Sequence, residues 1–285
     1  MHIHRSHFAI LFSTFCLAAC AGIPPHEALP LAARDKISST EIVMPIKQSE
    51  IYVFVPDSQI AAAGGGGLLL ALIDAGVNDV RTSKAEAAVK PLRDATVDFD
   101  FDGTLRDDVK SSLSAVPWLH VSDARVVRDI SPDGMDSVFT GSSAGAILFA
   151  TTDYHLSNDA DTLTVTMNAS LFGKDAALAD LKAQAKDGAK TQLSNSLYHN
   201  TLVYQTTTPA TGPGDRNANI AAWSANNGSL MRANLTKAAA KLASMLADDI
   251  QQPEGPDVPQ TTNEPDGSLT RTSTGTLSFI APSVF

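Results

Sequence analysis

Cysteine is nearly absent: the 285 residues hold two, Cys16 and Cys20, and none follows them. The chain beyond residue 20 therefore forms no internal disulfide and no thiolate metal site, and a hydrophobic core must hold it. Positive charge is also scarce. Lys and Arg number 21 against 31 Asp and Glu, for a formal charge of −10. That balance repels phosphate backbones and excludes nucleic acid as an expected partner. Long membrane-spanning runs are missing too: the glycine- and leucine-rich stretch 60–73 ends at Asp74 after 14 uncharged residues, short of the ~20 that a spanning helix needs. The same stretch fails as a phosphate loop. Gly67 is followed by three leucines where a Gly-Lys-Ser/Thr ending is required, and Leu69 stands where the dinucleotide fingerprint needs its third glycine.

The first twenty residues, MHIHRSHFAILFSTFCLAAC, place one arginine and three histidines before an apolar run over 8–19 and then a cysteine. That order is the architecture of a secretory leader. Leu17-Ala18-Ala19-Cys20 resembles the lipobox of bacterial lipoproteins at all four positions. The resemblance implies cleavage before Cys20, a diacylglycerol on its thiol and acylation of the new amino group. Several acyl chains on one residue anchor stably, each buried methylene adding about 0.8 kcal/mol. In Gram-negative lipoproteins an aspartate after the cysteine favours the inner membrane; Ala21 here favours the outer one.

Four regions are expected. Residues 1–19 are a signal peptide; 20–45, with Pro24, Pro25 and Pro30, a lipidated cysteine and flexible tether; 46–250 a single domain; and 251–285 a low-complexity, flexible tail. Within the domain, 51–55 reads as a short buried strand, and 84–97 as helix kinked or divided at Pro91. Leu105, Val109, Leu113 and Val116 recur at helical spacing up to Pro117. Strands are expected over 118–121, 124–130, 146–156 and 197–207, and most clearly over 162–171, where Leu163, Val165, Met167, Ala169 and Leu171 alternate with polar residues. Turn residues at 157–161 join two of these into an antiparallel hairpin. Residues 176–190 read as helix. Met231, Leu235, Ala238, Leu242 and Met245 form one stripe of a long C-terminal helix, with Lys237, Lys241, Ser244 and Asp248 pointing away. Leu277 and Phe279 can add a short edge strand. The fold expected is α+β: a mixed, largely antiparallel sheet with an amphipathic C-terminal helix packed on one face.

The most chemically suggestive stretch is VDFDFDGTLRDD, residues 97–108. Asp100 to Leu105 resembles the opening motif of haloacid-dehalogenase-type phosphatases, in which Asp100 would be the nucleophile and Asp102 the acid/base, with magnesium offsetting the charge. That motif belongs at the end of a buried strand, and helix formers precede it here. Asp98, Asp100, Asp102 and Gly103 also match positions 1, 3, 5 and 6 of a calcium loop, but Val109 stands where a bidentate glutamate belongs. The third reading is structural: phenylalanines inward, aspartates outward, Asp102 capping the next helix. This is the one expected.

Gly141-Ser142-Ser143-Ala144-Gly145 fits the nucleophile elbow of α/β-hydrolases with Ser143 as nucleophile and His155 and His199 downstream. A strand after Ser143 is the wrong element for an elbow, and both histidines are expected to be structural. A lipobox, a tether, an α+β domain and a polar tail together look like small Gram-negative envelope lipoproteins. The run IYVFVP, GGGGLLLALIDAG and KPLRDA resembles an uncharacterised family of them, which carries no function across. The function expected is a non-enzymatic accessory or binding subunit, lipid-anchored and facing the periplasm, with an envelope protein as partner. No cofactor is expected, calcium or magnesium at 98–108 being the alternative.

Overall fold

The structure, a computed structural model, describes residues 26–56, 68–178, 181, 196–208, 214–252 and 259–282. The glycine run 64–67, Cys20 and most of 176–190 lie outside these residues.

The sheet is built around a long hairpin. β4 (Ala146–Leu156) and β5 (Thr162–Gly173) pair antiparallel along their length, and β6 (Tyr198–Thr207) pairs antiparallel with β5. The odd residues of β5, from Leu163 to Leu171, are fully buried, while Thr162, Thr164, Thr166 and Asn168 stay half-buried. Strict alternation thus gives one dry and one wetter face.

Parallel strands extend the sheet beyond β4. β1 (Thr40–Pro45) lies between β4 and β3 (Val121–Val127), parallel to both, and the two-residue β2 (Tyr52–Val53) pairs with the far end of β4. Three strands follow β6 in space: β9 (Leu277–Ile280), β8 (Gly267–Arg271) and the outer β7 (Gln260–Glu264).

Helices α2 (Leu68–Thr96), α3 (Phe101–Ser114) and α5 (Arg216–Ile250) cover one face of the sheet. The expected stripe of α5 is fully or almost fully buried there, from Met231 to Met245. A smaller core on the other face, under α4 (Pro132–Gly141), joins Met135 and Val138 to Val43, Ile147, Phe149 and Phe172. β1 is therefore covered on both faces: Ile42 and Met44 enter the large core and Val43 the small one. The fold is α+β, with a mixed, largely antiparallel sheet and a long C-terminal helix on one face.

Several local expectations need correcting. Pro91 does not divide α2, which runs from Leu68 to Thr96; it is exposed, and so is Ala87, whose carbonyl loses its helical partner to the proline ring. The stretch 118–130 holds one strand in place of two, β3 at Val121–Val127, preceded by a 3-10 turn at Pro117–Leu119. α4 is an addition to the expected elements, although Ser131 caps it by accepting from the Gly134 N–H and Pro132 follows at the first helical position. α5 begins at Arg216, well before Met231, and breaks at 225–228, where Asn226, Asn227 and Gly228 have positive φ. A Cβ on Gly228 would stand 2.9 Å from Thr96 Cγ2 and 3.2 Å from the Ala95 carbonyl oxygen, so this close helix crossing requires glycine.

The regional boundaries also change. Residues 40–45, assigned to the tether, are an interior strand, and Leu29 and Ala33 of the short α1 (Leu31–Arg34) region are fully buried. Within 251–285, assigned to a flexible tail, β7 to β9 complete the sheet. Composition misled because threonine and serine are compatible with both a polar tail and a sheet edge.

Candidate functional site

The comb at 97–108 joins the end of α2 to the start of α3; no strand leads into it. Asp100 is the N-cap of α3, its Oδ1 accepting from the Gly103 N–H at 2.9 Å. Asp102, expected outside as the cap, is instead within the first turn of the helix and buried beside Phe101. Its Oδ2 accepts from Arg128 while Oδ1 is buried and, among the described residues, has no partner. Burial raises the Asp102 pKa, and the Arg128 charge opposes the rise. Asp98, on the exposed side, pairs with Arg232 of α5. The three carboxylates thus serve a cap and two separate ion pairs. Among the described residues no three His, Cys, Asp or Glu side chains converge in a manner that would hold a metal ion.

Ser143 is exposed in the loop before β4, and His155 lies near the opposite end of that strand. The extended backbone from Ala146 to His155 is about 30 Å long, so the two side chains do not meet. His155 Nδ1 is 2.9 Å from Asp153 Oδ2, and the Tyr52 hydroxyl donates to the same carboxylate at 3.1 Å. The Tyr52 and Phe54 rings flank the imidazole at 5.4 and 5.5 Å between centroids. His199 is buried, its Nδ1 2.9 Å from Ser170 Oγ and its Nε2, among the described residues, without a partner. Burial first, and the nearby His26 second, lower its pKa to about 4. It is neutral near pH 7, and among the described residues no acid is hydrogen-bonded to its ring to complete a triad with Ser170.

Two arrangements escaped the sequence. The first is a buried charge knot at the end of α5. Asp249 accepts from the Tyr198 hydroxyl at 2.7 Å, the Asn200 amide at 2.8 Å and the Arg271 guanidinium. His26 Nε2 approaches to 3.4 Å, within ion-pair range but without hydrogen-bond geometry. Four separate chain segments meet on one carboxylate: the N-terminal segment, β6, α5 and β8. Asp248-Asp249 read as an acidic pair on a helix; the helical period puts only the second one inward.

The second is a groove of about 520 Å³ between α5 and the C-terminal strands, lined by Tyr204, Lys237, Lys241, Ser244, Asp266 and Phe279. Lys241, expected in solvent, is covered by the β7–β8 hairpin, pairs with Glu264 and lies 4.0 Å above the centre of the Phe279 ring. Phe279 stacks on Tyr204 at 5.9 Å. The Tyr204 hydroxyl is buried and, among the described residues, has no hydrogen-bond partner. Burial, then the charge of Asp266, push this phenol up to about 12, so it remains a donor throughout the physiological range.

A buried hydroxyl without a partner costs about 1–3 kcal/mol. Tyr204→Phe is therefore expected to leave the melting temperature unchanged or raise it. A clear drop in melting temperature would show that the hydroxyl already has a partner in the folded chain.

No protein-family model and no curated protein matches the chain. A solved structure of a PelC dodecamer from Paraburkholderia phytofirmans, a point variant, is similar at 11% identity with a TM-score of 0.29, covering 81% of this chain and 100% of that one. That likeness is too slight to bear on function.

Proposed function

We propose that this chain is a lipid-anchored lipoprotein of the cell envelope, held at the outer membrane and facing the periplasm, where it acts as a non-enzymatic accessory or binding subunit for another envelope protein. The observation that carries the reading is Leu17-Ala18-Ala19-Cys20 behind its apolar leader. A covalently attached set of acyl chains anchors a protein that does not itself cross the bilayer. Among the described residues no helix is long and apolar enough to cross a membrane, and attachment in this reading rests on Cys20.

A binding role is supported by the groove beside α5, which joins apolar side chains such as Phe279 to a few polar ones, Lys237, Ser244 and Asp266, the usual composition of a ligand site. A role without chemistry is supported by the duties already held by the aspartates. Asp100 caps a helix and Asp102 pairs with Arg128.

Cells expressing the full chain and fed an alkyne-bearing palmitate analogue test the anchor. The parent is expected to carry the label and to stay with membranes through salt washing. Cys20→Ser is expected to be unlabelled and to leave the membrane fraction. A Cys20→Ser chain that is matured and located like the parent would remove the basis of the proposal.

A further inference from the structure

The two ends of the described domain differ in what they carry, and only one of them lies close to Cys20. At the first end α3 and α5 finish. Here His26 donates its backbone N–H to the Thr274 carbonyl at 2.7 Å, and the Glu27 backbone exchanges hydrogen bonds with His199. Arg34 donates to the Gln251 carbonyl just past α5 and lies 5.0 Å above the Trp118 ring just past α3. At the second end α3 and the long part of α5 begin. Arg232 binds the Ala95 carbonyl and Asp98 there, and Trp223 and Arg216 bind the 157–161 turn between β4 and β5.

The end that holds His26 carries a small apolar and basic surface. Leu31 is 59% exposed, Trp118 is partly exposed beneath the Arg34 guanidinium, and Lys36 is exposed on the same segment, with Asp35 as its acidic neighbour. The other end is richer in acid: Asp94, Asp98 and Asp100 lie at its α2–α3 junction and Asp159 and Asp161 in its β4–β5 turn, against Lys90, Arg216 and Arg232.

Distance keeps one of these ends near the membrane. The chain from Cys20 to His26, whatever path it takes, spans at most ~20 Å. The helical part of α5 from 229 to 250 alone is about 33 Å long. While His26 keeps its contacts, its end of the domain stays within that reach of the bilayer however the domain turns, whereas the acidic end comes equally near only if the domain lies down along the surface.

We infer that Leu31, Arg34, Lys36 and Trp118 form the surface by which this domain rests on the anionic bilayer carrying its lipid, with the acidic end directed away from it. The inference rests on the proposed acylation of Cys20. Tryptophan and leucine favour the water–hydrocarbon boundary, and cationic side chains are drawn to anionic headgroups, which repel the acidic end.

The test uses the full lipidated chain in vesicles of phosphatidylethanolamine and phosphatidylglycerol. Because Cys20 is acylated and Cys16 is cleaved away in this reading, Leu31→Cys supplies a unique thiol for an environment-sensitive dye. Val97→Cys, 83% exposed in the parent and at the acidic end, supplies the control. The dye at 31 is expected to shift to the blue and to be quenched by brominated lipid several-fold more strongly than the dye at 97. Equal responses, or a stronger one at 97, would overturn the orientation while leaving the anchor standing. A chain with no acyl mass on Cys20 would overturn both, and mass spectrometry of the N-terminal peptide separates the two failures.

Discussion

Asp249→Ala is expected to destabilise the fold by about 3–5 kcal/mol, because it strands one side of a buried ion pair. Arg271 is the stranded group: its side chain is 7% exposed, and Asp249 is its only anionic partner among the described residues. The Tyr198 hydroxyl and the Asn200 amide lose their acceptor in the same step. For a domain of this size the loss corresponds to a fall of about 10 °C in melting temperature. Replacing both partners, Asp249→Leu with Arg271→Met, is expected to recover much of it, since the cost lies in the unpaired charge more than in the lost attraction. If Asp249→Ala unfolds in urea within about 1 kcal/mol of the parent, the knot is not the buried junction described above, because ordinary surface substitutions stay within ~0.5 kcal/mol.

The same residues set the response to acid. Burial alone would raise the Asp249 pKa, but the contacts to His26 and Arg271 outweigh it and bring it to about 2. An unfolded aspartate takes up its proton near pH ~3.9, so Asp249 contributes stability above that pH and loses it as pH falls through about 2. His199 acts earlier. Its pKa is depressed to about 4, so between 6.5 and about 4 the unfolded chain binds a proton that the folded chain refuses, and stability declines as pH falls across that window. Stability measured against pH should show both limbs, the upper one absent in His199→Gln and the lower one in Asp249→Ala.

Removing everything after Gln252 is expected to be more damaging still. The deletion takes away β7 to β9, which lie beyond β6 in the sheet, and with them Arg271 and the nearly or fully buried Leu277 and Phe279. Burying a leucine or phenylalanine contributes about 1.5–3 kcal/mol. Its loss here adds to an unpaired Asp249 and to a bared β6 edge at residues 202–205. Domains of this kind are stable by only about 5–15 kcal/mol in total, so the truncated chain should fail to give a cooperative unfolding transition. Unchanged unfolding after the deletion would restore 251–285 to the dispensable tail that its composition implies.

The legible parts of this protein are those whose partners are close in sequence. β4 and β5 are readable because their alternation and the turn at 157–161 lie within one stretch, and the α5 stripe because Met231 to Met245 repeats at helical spacing. β1 is hidden: Thr40 to Pro45 follows a proline-bearing stretch, and its partners β3 and β4 lie some eighty or more residues away. Parallel pairing at that separation leaves no local pattern to read. At the comb, Phe101 is inside and Asp98 outside as expected, yet the cap is Asp100 and the buried carboxylate Asp102. A helix that starts earlier than expected moves the cap by the same amount, and helix ends are the least certain part of a sequence reading.

The sequence by itself determined the composition of a core without disulfides, the central hairpin, the stripe of the last helix and the acidic charge. It did so because periodicity and charge are properties of neighbouring residues. Only the tertiary structure decided that Asp249 gathers His26, Tyr198, Asn200 and Arg271, that the polar C-terminal residues close the sheet, and that Tyr204, Lys237 and Phe279 line one groove. Each of those facts joins segments dozens to hundreds of residues apart, and the free energy that selects them, burial of charge against its pairing, exists only once the chain has brought them together.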